Sequence, residues 1–190
     1  MRHANLKYLQ YIPAAIKTLP SRLRNFRSAR LAPSTAFLGK LPHIRARGQL
    51  QCGKRLVIRG DLFPSSIDIE RKGTLHIGDR VFINQGVRIF SSQRVRIGSR
   101  TEIGDLVSIT DSNFHSVAPR DPVKSAAVEI GPDCWIGSSA TILPGTHLGR
   151  GCVVAAAAVV NGHFPPGSLL AGVPASVVRS FEVPQDFRRR

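Results

Sequence analysis

Aromatic residues make up only 6% of this 190-residue chain. A core built on large rings is therefore excluded, and small aliphatics must fill the interior. Cysteine is scarce as well. Cys52, Cys134 and Cys152 form no CxxC pair, which excludes a zinc ribbon and a disulfide framework and fits a reducing compartment. The longest apolar run, Cys152 to Val160, has nine residues, too few to span a bilayer. The first thirty residues hold no continuous apolar stretch, so no signal peptide is expected. Acidic residues are missing altogether from residues 1–60, which carry 13 Lys and Arg. Residues 61–190 carry 14 Lys and Arg against 12 Asp and Glu, so 13 of the net +15 charges fall in the first third. The partner implied by charge belongs to the N-terminal segment, and the main body is nearly neutral.

What the chain does have is a count of six. Ile77, Ile83, Ile89 and Val95 lie six apart; after a two-residue slip, Ile97, Ile103 and Ile109 resume. Ile130, Ile136, Ile142, Leu148, Val154 and Val160 follow. Four residues after most of these stands a second small or aliphatic residue, such as Val81, Val107, Cys134, Ala140, Cys152 or Ala158. A period of six is neither 3.6 nor 2, so neither a lone helix nor a plain hairpin sheet explains it. Short strands joined by corners do. Three faces close a triangular coil, and stacked coils sit ~4.8 Å apart. The aliphatic points inward, the second small residue fills the corner, and Gly is expected to relieve the backbone at the turn. Because each coil buries its face only against its neighbours, several are needed. Cys134 and Cys152 read as corner fillers. Residues 36–76 read as opening coils, 77–173 as the regular stack and 174–190 as a tail.

Residues 1–35 break the pattern. Leu6, Leu9, Ile12, Ile16, Leu19, Leu23 and Phe26 fall three or four apart, a helical spacing that Pro13 and Pro20 split. Four readings compete: a helix capping the open end of the stack, an amphipathic helix on an anionic membrane through residues 1–32, a nucleic-acid arm, and a transit peptide. The few aromatics are not interleaved as stacking platforms, so nucleic acid is not expected as a partner. The chain is expected in the cytoplasm, peripheral at the inner face of the cell membrane if the second reading holds.

The count stops over residues 110–129, within "ITDSNFHSVAPRDPVKSAAVEIG". Three stretches resemble the left-handed parallel β-helix acyltransferases, the hexapeptide-repeat family. "FPPGSLLAGVPASVVRSF" resembles the closing segment, "IGPDCWIGSSATILPGTHLG" the last full coil, and "ITDSNFHSV" the stretch carrying the catalytic histidine of galactoside and maltose acetyltransferases. The resemblance covers about residues 55–182. It implies an all-β fold, a left-handed parallel β-helix, with an N-terminal helical segment and a short tail. The left hand comes from the resemblance alone, since the general crossover rule gives the opposite. It further implies a homotrimer, with acetyl-CoA lying between neighbouring β-helices as co-substrate. The same fold also carries zinc enzymes with three histidine ligands, but no second histidine follows His115 before His147, so no metal is expected. A flat solenoid wall has no pocket, so a loop thrown out from it builds one and excludes water.

The chemistry is acyl transfer from a thioester to a hydroxyl. A neutral imidazole, of ordinary pKa about 6.5, suits removal of the hydroxyl proton, and His115 matches the family's base. Asp111 is a candidate to orient that ring, the bland alternative being a turn aspartate. Asn84 matches an acceptor-side asparagine, and Ser91-Ser92 stands where the sugar enzymes carry an acceptor-gripping aspartate. Ser92 is therefore an acceptor candidate, and the acceptor is held differently here. Trp135 flanks the cleft by the same resemblance. Ser138, Ser139, Ala156, Ala157 and Gly172 would run beside the pantetheine arm, where small residues let it lie flat. Arg179 would meet nucleotide phosphates. Asn161-Gly162 replaces the usual lysine before the Pro-Pro turn, so Arg150 is the candidate substitute. The expected function is acetyl-CoA-dependent O-acetylation of a sugar or glycan. The alternatives are N-acylation, a succinyl or longer acyl donor, or a non-catalytic scaffold.

Overall fold

The computed structural model describes residues 29–189, and the helical reading of the N-terminal segment lies almost wholly outside that range. Within it the chain coils into a β-solenoid of about six turns. Its strands form three sheets of seven, eight and six members, each joining every third strand in sequence. Pairing is parallel throughout, save that Ala175–Ser180 returns antiparallel along Ser168–Gly172. The first strand among the described residues is Ala29–Arg30, which pairs with Gln49–Cys52.

Register follows the sequence count. Ile83, Ile103 and Ile136 stack in the second sheet, and Ile89, Ile109 and Ile142 in the third. Every one of these side chains is buried, as are Val81, Val107, Cys134, Ala140, Cys152 and Ala158 at the corners. Each buried Ile contributes ~1.5–3 kcal/mol of transfer free energy. The two-residue slip at Val95–Ile97 is a four-residue strand, Arg94–Ile97, that points both residues inward.

The glycines after the inward aliphatics have a different cause from the expected one. Gly98 keeps an ordinary φ, but a Cβ there would lie 2.3 Å from the Pro132 nitrogen of the next coil. Close stacking of backbones excludes a side chain. The left-handed φ falls two residues later, on Arg100, Leu106, Asp133 and Ser139. Asp133 is a residue type that tolerates this region, whereas Arg100, Leu106 and Ser139 hold it under the constraint of the stack.

Candidate functional site

The excursion spans residues 111–127, between strands Ser108–Thr110 and Val128–Ile130. Its origin is a change of residue at one inward position. Ala46 pairs with Ile69 and Ile69 with Ser91 in the third sheet, and Asp111 follows in the next coil. Asp111 is fully buried, and a buried carboxylate needs donors. It has four: the N–H groups of Ser92 (2.7 Å) and Gln93 (2.8 Å), and the hydroxyls of Ser91 (3.1 Å) and Ser92 (3.0 Å). Its carbonyl accepts the Ala126 N–H at 2.9 Å, which closes the loop's far end. A bridge between Ser112 and Ser125 and the Asn113 N–H on the Lys124 carbonyl finish the base.

The carboxylate is thus committed to residues 91–93. Among the described residues it makes no bond to the His115 ring, in contrast to the expected orienting role. Ser92, the acceptor candidate, belongs to the same staple through both its N–H and its hydroxyl. The sequence signal for both was available: a polar pair, Ser91 and Asp111, in register positions otherwise filled by Ala46 and Ile69.

Phe114 adopts a left-handed φ of 63° and lays its ring on Phe90, centroids 4.5 Å apart. A bulky residue in that region costs ~1 kcal/mol, which the ring contact offsets. His115 follows directly, its N–H on the Asn113 carbonyl at 2.7 Å and its side chain exposed. The imidazole is presented to solvent from a base tied at both ends.

A ridge runs along the corner between the second and third sheets. Leu106, Ser139 and Ala157 donate their N–H groups to Gln85, Asp105 and Ser138 of the preceding coils, at 3.0, 2.8 and 2.9 Å. Ser139, Ala156 and Ala157 are exposed, and the Ser138 hydroxyl bonds Asp105. Asn84 stands at the head of this ridge, its Oδ1 accepting the Gln85 N–H at 2.9 Å. Trp135 projects from the adjoining sheet, 47% exposed. It pairs with Glu102, a carboxyl that the sequence reading missed. Burial raises the Glu102 pKa against the opposing charge of Arg189. No repeat rule marks that position, because outward residues vary freely.

The two arginines expected at phosphates sit apart. Arg179 is exposed on the final strand, opposite Leu169, and Gly172 is exposed in the same hairpin. Arg150 is already engaged. It bonds Asp133 at 3.1 Å and the carbonyls of Pro184 and Phe187 at 3.1 and 2.7 Å. Asp133 is fully buried and also takes Arg100 at 2.7 and 3.0 Å and the Arg189 N–H at 3.1 Å. Burial alone would raise its pKa; Arg100, the Arg189 N–H and Arg150 outweigh burial and hold it at about 2. Arg150, the candidate for a nucleotide phosphate, clamps the tail here.

Residues 127–162 match the family model described as bacterial transferase hexapeptide (six repeats). The chain is 34% identical over 151 residues to WbbJ of Escherichia coli K12, named as a lipopolysaccharide biosynthesis O-acetyl transferase. That match covers 73% of this chain and 76% of WbbJ. Galactoside O-acetyltransferase of Escherichia coli K12 is 31% identical, over 55% of this chain and 53% of its own length. Among solved structures, a hexapeptide-repeat acetyltransferase of Vibrio cholerae superposes with a TM-score of 0.61 at 27% identity. It covers 69% of this chain and 73% of the other. The same Vibrio protein complexed with acetyl coenzyme A gives a TM-score of 0.56 at 26% identity, over 76% and 72% of the two chains. The chain belongs to the hexapeptide-repeat transferase family, the acetyltransferases built on a left-handed parallel β-helix.

Proposed function

We propose that the chain is an acetyl-CoA-dependent O-acetyltransferase for a sugar or glycan hydroxyl, with His115 as general base. The observation that carries this reading is an exposed imidazole on a loop stapled at both ends, rising from an otherwise inert wall. The ridge fits a flat thioester arm. Ser139 and Ala157 present small side chains at its turns, so nothing bulky rises over the wall at either position.

Acetyl-CoA supplies an activated acyl carbon. His115 takes the proton of the acceptor hydroxyl as its oxygen attacks; the new C–O bond forms, the C–S bond breaks, and the imidazolium returns the proton to the leaving thiolate. A positioned base is worth ~10²–10⁴ in rate. Asn84 keeps an amide NH₂ beside the ridge to steer the acceptor. The resemblance to WbbJ and to galactoside O-acetyltransferase supports a hydroxyl acceptor. A purified enzyme offered acetyl-CoA with hydroxyl and amine sugars tests this directly. Ester formation is expected, and transfer to amines alone would overturn it.

A homotrimer follows from the same reading. The outward column of the second sheet, Val57, Phe82, Glu102, Trp135, Val153 and Leu169, is apolar at every place but one. Such a face suits burial against a second copy. We further place the enzyme in the cytoplasm, peripheral at an anionic membrane through its basic residues 1–32. Among the described residues no helix is long and apolar enough to cross a membrane.

A further inference from the structure

One corner of the solenoid carries extra residues. Ile58 pairs with Ile83 and Ile67 with Ile89, so the two coils are in register at both ends. Yet nine positions separate Ile58 from Ile67, against six between Ile83 and Ile89. The three added residues fall in the turn Asp61-Leu62-Phe63-Pro64. They do not go inward: Leu62 is 66% exposed and Phe63 is 53% exposed.

The turn is held open by specific bonds. Lys40 Nζ donates to the Leu62 carbonyl at 3.1 Å, and the Leu62 N–H donates to Gln85 Oε1 at 2.9 Å. The Gly86 N–H donates to the Phe63 carbonyl at 2.9 Å. A Cβ on Gly86 would lie 2.7 Å from Leu106 Cδ2 and 3.4 Å from Phe63 Cβ, so Leu106, itself 48% exposed, and Phe63 both border that glycine. Leu62, Phe63 and Leu106 make up a solvent-facing apolar prow at this corner.

The charge of the coils that carry this prow is one-sided, although Asp61 of the turn itself pairs with Arg59. Residues 30–72 hold nine Lys and Arg against three Asp and Glu, whereas residues 73–189 hold eleven against nine. Lys40 stands at the turn itself. Lys54 and Arg55 occupy a second corner of the same coils, and Arg47, Arg71 and Lys72 the third. All six are exposed, and among the described residues none has a carboxylate within salt-bridge distance.

We propose that the first two coils are a docking surface for an anionic phospholipid bilayer, with Leu62 and Phe63 entering the headgroup–acyl boundary. An anionic surface satisfies both features at once. Interfacial binding scales with buried apolar area plus attraction of cations to acidic headgroups. A nucleic acid would use the cations and leave the apolar turn idle. A second copy docked on the same face would bring like charges together. The surface lies in the described body, apart from residues 1–32, and the proposal does not rest on the acetyl-transfer reading.

The test uses the full chain sedimented with vesicles of phosphatidylglycerol and phosphatidylcholine at equal mole fraction, and with phosphatidylcholine alone. The wild type is expected to bind the mixed vesicles, less so at 0.5 M salt. The double variant L62S/F63S is expected to bind at least ~10-fold more weakly, with Tm and mass unchanged. The variant R71Q/K72Q, on a separate corner, is expected to weaken binding to the mixed vesicles as well. It keeps the question answerable should the serine pair disturb the turn. Vesicle binding unaffected by both variants overturns the proposal. So does a raised KM for soluble acceptor with vesicle binding intact, which assigns the prow to the acceptor. A loss of oligomer mass in L62S/F63S assigns it to a second copy, with the same consequence.

Discussion

Replacing Asp111 by Asn separates two roles that a carboxylate beside a catalytic loop can play. In the structure Oδ1 accepts from the Ser92 N–H and hydroxyl, and Oδ2 from the Gln93 N–H and the Ser91 hydroxyl. An amide keeps the shape but offers one oxygen, and its NH₂ must face a backbone N–H. At least one charge-assisted bond is lost and one donor is left unmet, at ~2 kcal/mol. For a chain of this size that lowers Tm by about 4–8 °C. Asp111→Ala removes the acceptor from both N–H groups and leaves a void, at ~3–5 kcal/mol. Thermal unfolding and steady-state kinetics, run on the same preparations, read both consequences. A staple predicts a clear loss of Tm, turnover falling only as the loop base loosens, and the pH profile of kcat/KM unmoved. An orienting carboxylate predicts the reverse: a large loss of kcat, a displaced pH profile and Tm within about 1 °C. The second pattern would refute the assignment drawn from these four bonds.

Three further outcomes are expected. His115→Ala should lose at least ~100-fold in turnover while Tm and oligomer mass stay at wild-type values, and wild-type activity would remove it from the mechanism. Ala157→Phe places a ring on the exposed ridge and should raise KM for acetyl-CoA by ~10-fold or more with Tm little changed; an unaltered KM would take the coenzyme off that wall. Acid should loosen the tail, because the Asp133 pKa is depressed from 3.8 to about 2. The stability it contributes is full above its unfolded pKa and is lost as pH falls from about 4 toward 2, amounting to ~2 kcal/mol. Asp133→Asn should therefore be less stable at pH 7 and lose little more on acidification to pH 3, measured by thermal unfolding across that range.

The repeat was legible because its cause is local and recurs. Ile103 is inward for the same reason as Ile83 and Ile136, and a count of six finds all three. The tie points were harder to see. Asp111 reads as a turn residue until its register position beside Ser91 is known, since only stacking brings residues twenty apart into contact. Arg150 looked free because the tail that occupies it has no repeat. Glu102 was invisible for the opposite reason: nothing in the pattern constrains an outward residue, and only the register places it between Phe82 and Trp135. The glycines were identified correctly and explained wrongly. Composition cannot tell a left-handed φ from a close backbone approach.

A solenoid of identical coils has neither a pocket nor an end, so its chemistry has to reside where the count is broken. Three departures from the wall stand out among the described residues, beyond the slip that a longer strand absorbs at Val95–Ile97, and each is tied to the body by polar groups at its root. The turn at 61–64 is fixed by Lys40 and Gln85, with the Ser65 hydroxyl bonding the Asn84 carbonyl at 3.1 Å beneath it. The excursion at 111–127 is fixed by buried Asp111, and the tail by buried Asp133. Those are the fully buried carboxylates among the described residues. A carboxylate is a costly thing to bury, and neither coil needs one to stack: Ala46 and Ile69 fill the places equivalent to Asp111, and Arg100 and Gly151 those equivalent to Asp133. The cost is understandable only if the segments must be held in one position. An apolar residue at Asp111 would therefore leave the solenoid folded and release the loop. Asp111→Leu should give a stable oligomer with native circular dichroism, rapid proteolytic cleavage between residues 112 and 125, and little activity. Cleavage no faster than wild type would mean that the loop holds its position without the staple.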